Sequence, residues 1–141
     1  MAQINTGTVV VGGIAGAVIL NVVDYLVNGM WLATRWAAQA AKLNPNLNMM
    51  SSNSIAGYVV MDVILAMMIV WLYAAMRPRF GPGSRTAMLA ALFVWAVSAV
   101  FNSMFVIGGM YSLKLICASS AGTLVGMLAA GYVGGMLYKE E

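Results

Sequence analysis

Four long apolar segments dominate the chain and constrain its fold more than any other feature. They cover residues 8–32, 55–76, 85–107 and 113–138, and short polar stretches separate them. About 20 apolar residues in a helix span the hydrocarbon core of a bilayer, where backbone polar groups must bond within the segment. Charged residues make up 8% of the chain, against about 25% in an average soluble domain. The sequence therefore predicts an all-α integral membrane four-helix bundle in a single domain, 1–141.

The connections between the spans indicate how the bundle sits in the membrane. The first contains an alanine-rich stretch, 35–43, that we expect to form a short helix at the interface. The second, "RPRFGPGSR", contains prolines and glycines, including Pro78, that we expect to end the helix in a tight turn. It also concentrates Arg77, Arg79 and Arg85. By the positive-inside rule, this density places the loop and both termini in the cytoplasm, where the three arginines contact anionic lipid headgroups.

Polar side chains recur at a similar depth in all four predicted spans. In "NVVDYLVN", the residues Asn21, Asp24 and Asn28 are three and four positions apart, so they share one face of a helix. At about 1.5 Å per residue, Asp24 and Asp62 both lie roughly 10–12 Å inside the same membrane surface. The predicted intramembrane polar layer comprises Asn21, Asp24, Asn28, Asp62, Asn102, Ser119, Ser120 and Thr123.

This polar layer has two interpretations. Buried Asn and Asp often serve as hydrogen bonds between helices, worth about 0.6 kcal/mol each, and a partner subunit would use them in the same way. Alternatively, the layer binds a proton, a cation or a polar ligand, because ionisable residues inside membranes mark such routes. Neither Asp24 nor Asp62 has a basic residue at matching depth in its own helix. We therefore expect at least one of them to be protonated near neutral pH.

A ladder of small residues runs along the fourth span, and a shorter one runs along the first. Small residues at every fourth position let two helix backbones approach closely, and close packing is what holds helices together in lipid. We favour packing of the fourth span against the first within one chain, with self-association between copies as the alternative. The predicted packing positions are Gly12 and Gly16 in the first span and Ala118, Gly122, Gly126, Ala130 and Gly134 in the fourth.

The residue types that most enzyme chemistry requires are scarce. The chain has no histidine, and its one cysteine is Cys117, which leaves no disulfide, no CxxC motif and no imidazole base. The basic residues are scattered at the ends of apolar segments rather than gathered in a patch for nucleic acid. We therefore predict no catalytic activity, no cofactor, no metal site and no nucleic-acid partner. The expected partners are membrane lipids and other membrane subunits, including copies of this chain.

The stretch "VWLYAAMRPRFGPGSRTAMLAALFVW", residues 70–95, resembles small uncharacterised bacterial integral membrane proteins. In those proteins a helix ending in Trp-Leu-Tyr enters an Arg-Pro-Arg-Phe-Gly-Pro-Gly turn and a second helix follows. The resemblance implies a multi-pass protein of the bacterial inner membrane. It implies no activity.

Two functions remain open on the sequence alone. The one we favour is a non-catalytic integral membrane component, either a homo-oligomer or a small accessory subunit of a membrane complex. Short loops and the small-residue ladder agree with it. The alternative is a small transporter or channel for protons, cations or a small polar solute, which would use the layer around Asp24 and Asp62.

Overall fold

The computed structural model describes residues 3–140, in which helices are joined by short loops and no β-strand occurs. Four helices in this range are long and apolar enough to cross a membrane, which confirms the predicted all-α bundle. This is the architecture of a multi-pass membrane protein. The elements are α1 (Thr6–Asp24), a π-helical segment (Tyr25–Trp31) that continues it, α2 (Ala33–Leu43), α3 (Ser52–Phe80), α4 (Ser84–Ile107) and α5 (Leu113–Leu137).

Local sequence signals account for most of the helix ends. The Ser51 hydroxyl accepts a hydrogen bond from the Ser54 backbone N–H at 3.2 Å, which caps α3. The α3–α4 turn differs from the prediction, because Pro78 lies inside α3 instead of ending it. Pro78 has no N–H to donate to the carbonyl four residues before it, and the helix continues for only two residues beyond it, to Phe80. The helix ends at Gly81, whose φ of +80° suits a residue without a Cβ.

The bundle has two dissimilar ends. α1 packs against α3 and α5, and α4 packs against the same two helices. At one end, here called the terminal end, the Asn5 backbone N–H donates to the Tyr138 hydroxyl at 3.3 Å. The α3–α4 turn lies at this end too, since the Gly83 N–H donates to the Tyr73 hydroxyl at 3.1 Å. The other end, here called the polar end, contains the π-helical segment, α2 and the start of α5.

Candidate functional site

α1 and α5 run antiparallel, and their backbones nearly touch in the half near the terminal end. A Cβ added to Gly12 would lie 2.5 Å from the Gly134 carbonyl oxygen, and one added to Gly16 would lie 3.0 Å from that of Ala130. Only glycine allows such an approach. The predicted small-residue ladder of α5 therefore faces α1 within the same chain.

The contact between α1 and α5, here called the seam, continues into polar side chains at the other end. On α1 and the π-helical segment that continues it, its positions are spaced four residues apart without interruption. The first three pairs form the glycine half of the seam and the last two form its polar half. From the terminal end to the polar end the pairs are Gly12–Gly134, Gly16–Ala130, Leu20–Gly126, Asp24–Thr123 and Asn28–Ser119.

The polar half is held by short hydrogen bonds between side chains. The Thr123 hydroxyl donates to Asp24 Oδ1 at 2.9 Å, and the Ser119 hydroxyl donates to Asn28 Oδ1 at 2.7 Å. Trp36 Nε1–H donates to the same Asn28 oxygen at 3.1 Å. The first two hydrogen bonds join α5 to the end of α1 and to the π-helical segment, and all four of their residues belong to the predicted polar layer. The third joins Asn28 to α2.

α2 is fixed across the polar end by two of its side chains, which the sequence analysis did not identify. One is Trp36, through Asn28. The other is Gln39, whose amide accepts from the Ser112 backbone N–H at 2.7 Å and donates to the Ser112 hydroxyl at 2.8 Å. Trp36 and Gln39 are three residues apart, beside the buried Ala40. The signal in the sequence that could have identified them is a tryptophan and a glutamine three residues apart in an alanine-rich helix.

Asp62 is the unusual member of the layer. It is 4% exposed, and it begins the buried stripe of α3 that continues through Ala66 and Ile69. Among residues 3–140 it makes no side-chain hydrogen bond and no ion pair; the ion pair in that range joins Arg77 and Glu140. Two carboxyls therefore share the polar end without a basic partner from the described chain.

The remaining residues of the predicted layer do not join this cluster. Asn21 donates its side-chain amide to the Ala17 carbonyl of its own helix at 2.9 Å. Ser120 contributes its backbone carbonyl, which accepts from Trp95 Nε1–H at 2.8 Å and so connects α4 to α5. Asn102 is exposed on the outside of α4. None of these side chains hydrogen-bonds to Asp24 or Asp62.

The π-helical segment sets the direction of the Asn28 side chain in the polar half. Tyr25–Trp31 begins directly after Asp24 and contains Asn28. π-Helical turns are rare and often occur at functional sites. A wider turn there changes the direction of the side chains that follow, and Asn28 can then meet both Ser119 and Trp36. No periodicity in the sequence distinguishes this segment from an ordinary α-helix.

The three predicted headgroup arginines have different surroundings. Arg77 Nε lies 3.3 Å from Glu140 Oε1, and its guanidinium carbon lies 5.7 Å and 5.2 Å from the ring centroids of Tyr73 and Tyr138. Arg77 is thus occupied within the protein, where it ties the C-terminal segment to α3. Arg79 and Arg85 are exposed at the terminal end.

α5 also carries a second small-residue face that the sequence analysis did not separate from the first. A Cβ added to Gly131 would lie 2.8 Å from Ala91 Cβ, and one added to Gly135 would lie 2.8 Å from Ala87 Cβ. This face packs against α4. Near the polar end, Gly122 lies against Val27 instead, and Ala118 is half-buried.

The polar end gathers several oxygen-bearing side chains. Two carboxyls, a threonine hydroxyl and an amide oxygen are hydrogen-bond acceptors or proton carriers. Within residues 3–140, no group of three or more His, Cys, Asp or Glu side chains lies close enough together to hold a metal ion. No protein-family model, curated protein or solved structure matches this chain. A function is therefore inferred from the chemistry of the site.

Proposed function

We propose that the protein is a small transporter or channel for protons or cations, in which Asp24 and Asp62 receive the positive charge. The single observation that carries this proposal is the burial of the Asp62 side chain, which has no hydrogen-bonding or basic partner among residues 3–140. A carboxylate held inside a membrane without compensation is costly, and such residues mostly occur on ion or proton pathways. A bound proton or cation would remove that cost.

The position of the small-residue ladder favours this function over the self-assembling component. Self-association through the ladder would need Gly12, Gly16 and Gly134 on a free surface. These residues are buried between α1 and α5. The main sequence feature that suggested a homo-oligomer is therefore already used for packing within one chain.

The proposed setting is the inner membrane of a bacterium, with the termini and the exposed Arg79 and Arg85 in the cytoplasm. The support is the arginine density of the α3–α4 turn, which the positive-inside rule assigns to the cytoplasmic side, and the resemblance of residues 70–95 to small bacterial membrane proteins. In this orientation the polar end faces the outer surface of the membrane.

Flux in proteoliposomes tests the proposal. Wild-type protein is reconstituted with a pH-sensitive dye inside, a membrane potential is applied, and proton uptake is measured with and without sodium or potassium. Asp62→Asn and Asp24→Asn should each abolish the flux while the protein keeps its helicity and its elution volume. Glu140→Gln is the matched control, because it neutralises a carboxyl at the terminal end. Equal flux in wild type and both aspartate variants would contradict the proposal.

A second candidate is the accessory subunit of a membrane complex, and Asn102 favours it. Its amide is exposed on α4, a helix long enough to cross the membrane. A polar amide in contact with lipid lacks hydrogen-bond partners, and a neighbouring helix would supply them. Native mass spectrometry of gently extracted protein tests this: another polypeptide in the complex, lost in Asn102→Leu, supports it. A mass of this chain alone, unchanged by the substitution, contradicts it.

A further inference from the structure

A small cavity lies at the terminal end of the bundle, where the first turn of α4 meets the last turns of α5. Its volume is about 240 Å³, roughly that of eight water molecules in the liquid, so a small polar group fits within it. The wall includes Tyr73 of α3, Ser84 of α4, and Tyr138, which directly follows α5. All three of these side chains carry a hydroxyl group.

Two of these hydroxyls belong to buried tyrosines and lack an acceptor for their protons. Tyr73 is 3% exposed and Tyr138 is 5% exposed. The Tyr73 oxygen accepts the Gly83 N–H at 3.1 Å, and the Tyr138 oxygen accepts the Asn5 N–H at 3.3 Å. Among residues 3–140 neither hydroxyl donates a hydrogen bond in return. A buried donor without an acceptor is costly, and an acceptor from outside the described chain would remove that cost.

The start of α4 adds further donors to the same wall. No side chain caps this helix, whose N-cap residue is Gly83. Gly83 also lines the cavity, so its hydrogen bond to Tyr73 places the phenol hydroxyl at the edge of the cavity. Ser84 is exposed and lines the cavity as well. Backbone N–H groups in the first turn of a helix favour anions, and here they support the two tyrosine donors.

The charge around the cavity is positive. The guanidinium carbon of Arg77 lies 5.7 Å and 5.2 Å from the ring centroids of Tyr73 and Tyr138. Its Nε is buried and makes no hydrogen bond within residues 3–140, although Glu140 Oε1 lies 3.3 Å away. The segments 77–85 and 138–141 contain four basic and two acidic residues. The exposed basic residues there are Arg79, Arg85 and Lys139.

We propose that this cavity binds a phosphate group through the hydroxyls of Tyr73, Ser84 and Tyr138. Phosphate oxygens accept strong hydrogen bonds because they carry negative charge, which matches both the donors of the wall and the basic residues around it. The phosphate belongs either to a lipid headgroup or to free phosphate from water. A lipid is compatible with the position of the cavity at one end of four helices long enough to cross a membrane. The inference does not depend on the proposed transport function.

Two probes of the purified full-length protein in nonionic detergent test the inference. Native mass spectrometry measures binding of dioleoylphosphatidylglycerol, with dioleoylglycerol as the matched lipid that has the same chains and no phosphate. Isothermal titration calorimetry measures binding of inorganic phosphate at constant ionic strength.

Variants that remove one hydroxyl should weaken binding of the phosphate-bearing probe. Tyr73→Phe and Tyr138→Phe keep the rings and should each weaken it roughly 10- to 150-fold, the range for a lost hydrogen bond to a charged group. Ser84→Ala should also weaken it, and this exposed position spares the core. Tyr58→Phe, on α3 near the polar end, is the matched control. It removes a phenol hydroxyl far from the cavity and should leave binding unchanged.

The outcomes identify the source of the phosphate or overturn the site. Tighter binding of phosphatidylglycerol than of dioleoylglycerol, lost in the variants of the wall, supports a lipid headgroup. Binding of inorganic phosphate with the same losses, and no preference between the lipids, supports free phosphate. Binding that is equal in wild type, Tyr73→Phe, Tyr138→Phe and Ser84→Ala reflects attraction to surface arginines and overturns the inference, as does no binding of either probe. If the tyrosine variants lose helicity, unchanged binding in Ser84→Ala overturns it.

Discussion

The two halves of the α1–α5 seam solve opposite physical problems with the same four-residue spacing. In the glycine half, Gly12 and Gly134 bring two backbones so close that no side chain fits between them. In the polar half, Asp24 and Thr123 join the two helices through their side chains and a 2.9 Å hydrogen bond. One half maximises packing, and the other introduces groups that lipid solvates poorly.

This difference indicates which half maintains the fold and which half is available for function. Close backbone packing is the main source of attraction between helices in lipid, because the hydrophobic effect does not drive helices together there. The glycine half provides it. A buried acidic side chain such as Asp62 lowers the stability of the fold instead, because it has no partner among residues 3–140. Stability given up at one place is typical of functional sites.

The largest expected effect is at the glycine half. Gly12→Ala should destabilise the protein by roughly 3 kcal/mol, the upper part of the range for overpacking, because its Cβ would meet the Gly134 carbonyl. Gly57→Ala on α3 is the matched control, since no atom lies within 4 Å of the added Cβ. Unfolding in mixed micelles with increasing sodium dodecyl sulfate measures both. Similar stability of the two variants would show that the seam is not the close contact described above.

An effect of opposite sign is expected at Asp62. Asp62→Leu should stabilise the bundle by about 2 kcal/mol, because it removes a carboxyl that costs roughly 2.5–3.5 kcal/mol in mid-membrane. The same unfolding titration gives the value. Asp24→Leu should gain less, since it also loses the hydrogen bond from Thr123. A large loss of stability in Asp62→Leu would mean that its carboxyl is structural, and the contrast between the two halves would fail.

The smallest effect is expected for the hydrogen bond between Asp24 and Thr123. A double-mutant cycle with Asp24→Ala and Thr123→Ala should give a coupling of about 0.6 kcal/mol, the average for such bonds between membrane helices. A cycle of Asn21→Ala with Thr123→Ala is the control and should give none, because Asn21 bonds to the Ala17 carbonyl of its own helix. A coupling as large as the glycine effect would make the polar half an equal contributor to the fold.

Many residues of the polar end could be predicted from the sequence, but the contacts between them could not. The spacing of Asp24 and Asn28 predicted a shared face, and the depth of Asp62 and Thr123 predicted a common level. Depth depends only on the residue number within a helix of known rise. It does not fix rotation about the helix axis, and for that reason Asn102 was grouped with the carboxyls although it is exposed on α4.

The sequence by itself determined the number of spanning helices, because only a helix of about 20 apolar residues satisfies its backbone in lipid. It also determined that α5 has a face for close packing. The sequence favoured α1 over another copy as the partner of this face, and the structure decided for α1. Tertiary structure alone decided that a π-helical segment directs Asn28 toward Ser119 and that Arg77 pairs with Glu140. These contacts depend on how helices rotate and pair, and many pairings satisfy the same apolar pattern. Close packing over the whole bundle selects one of them.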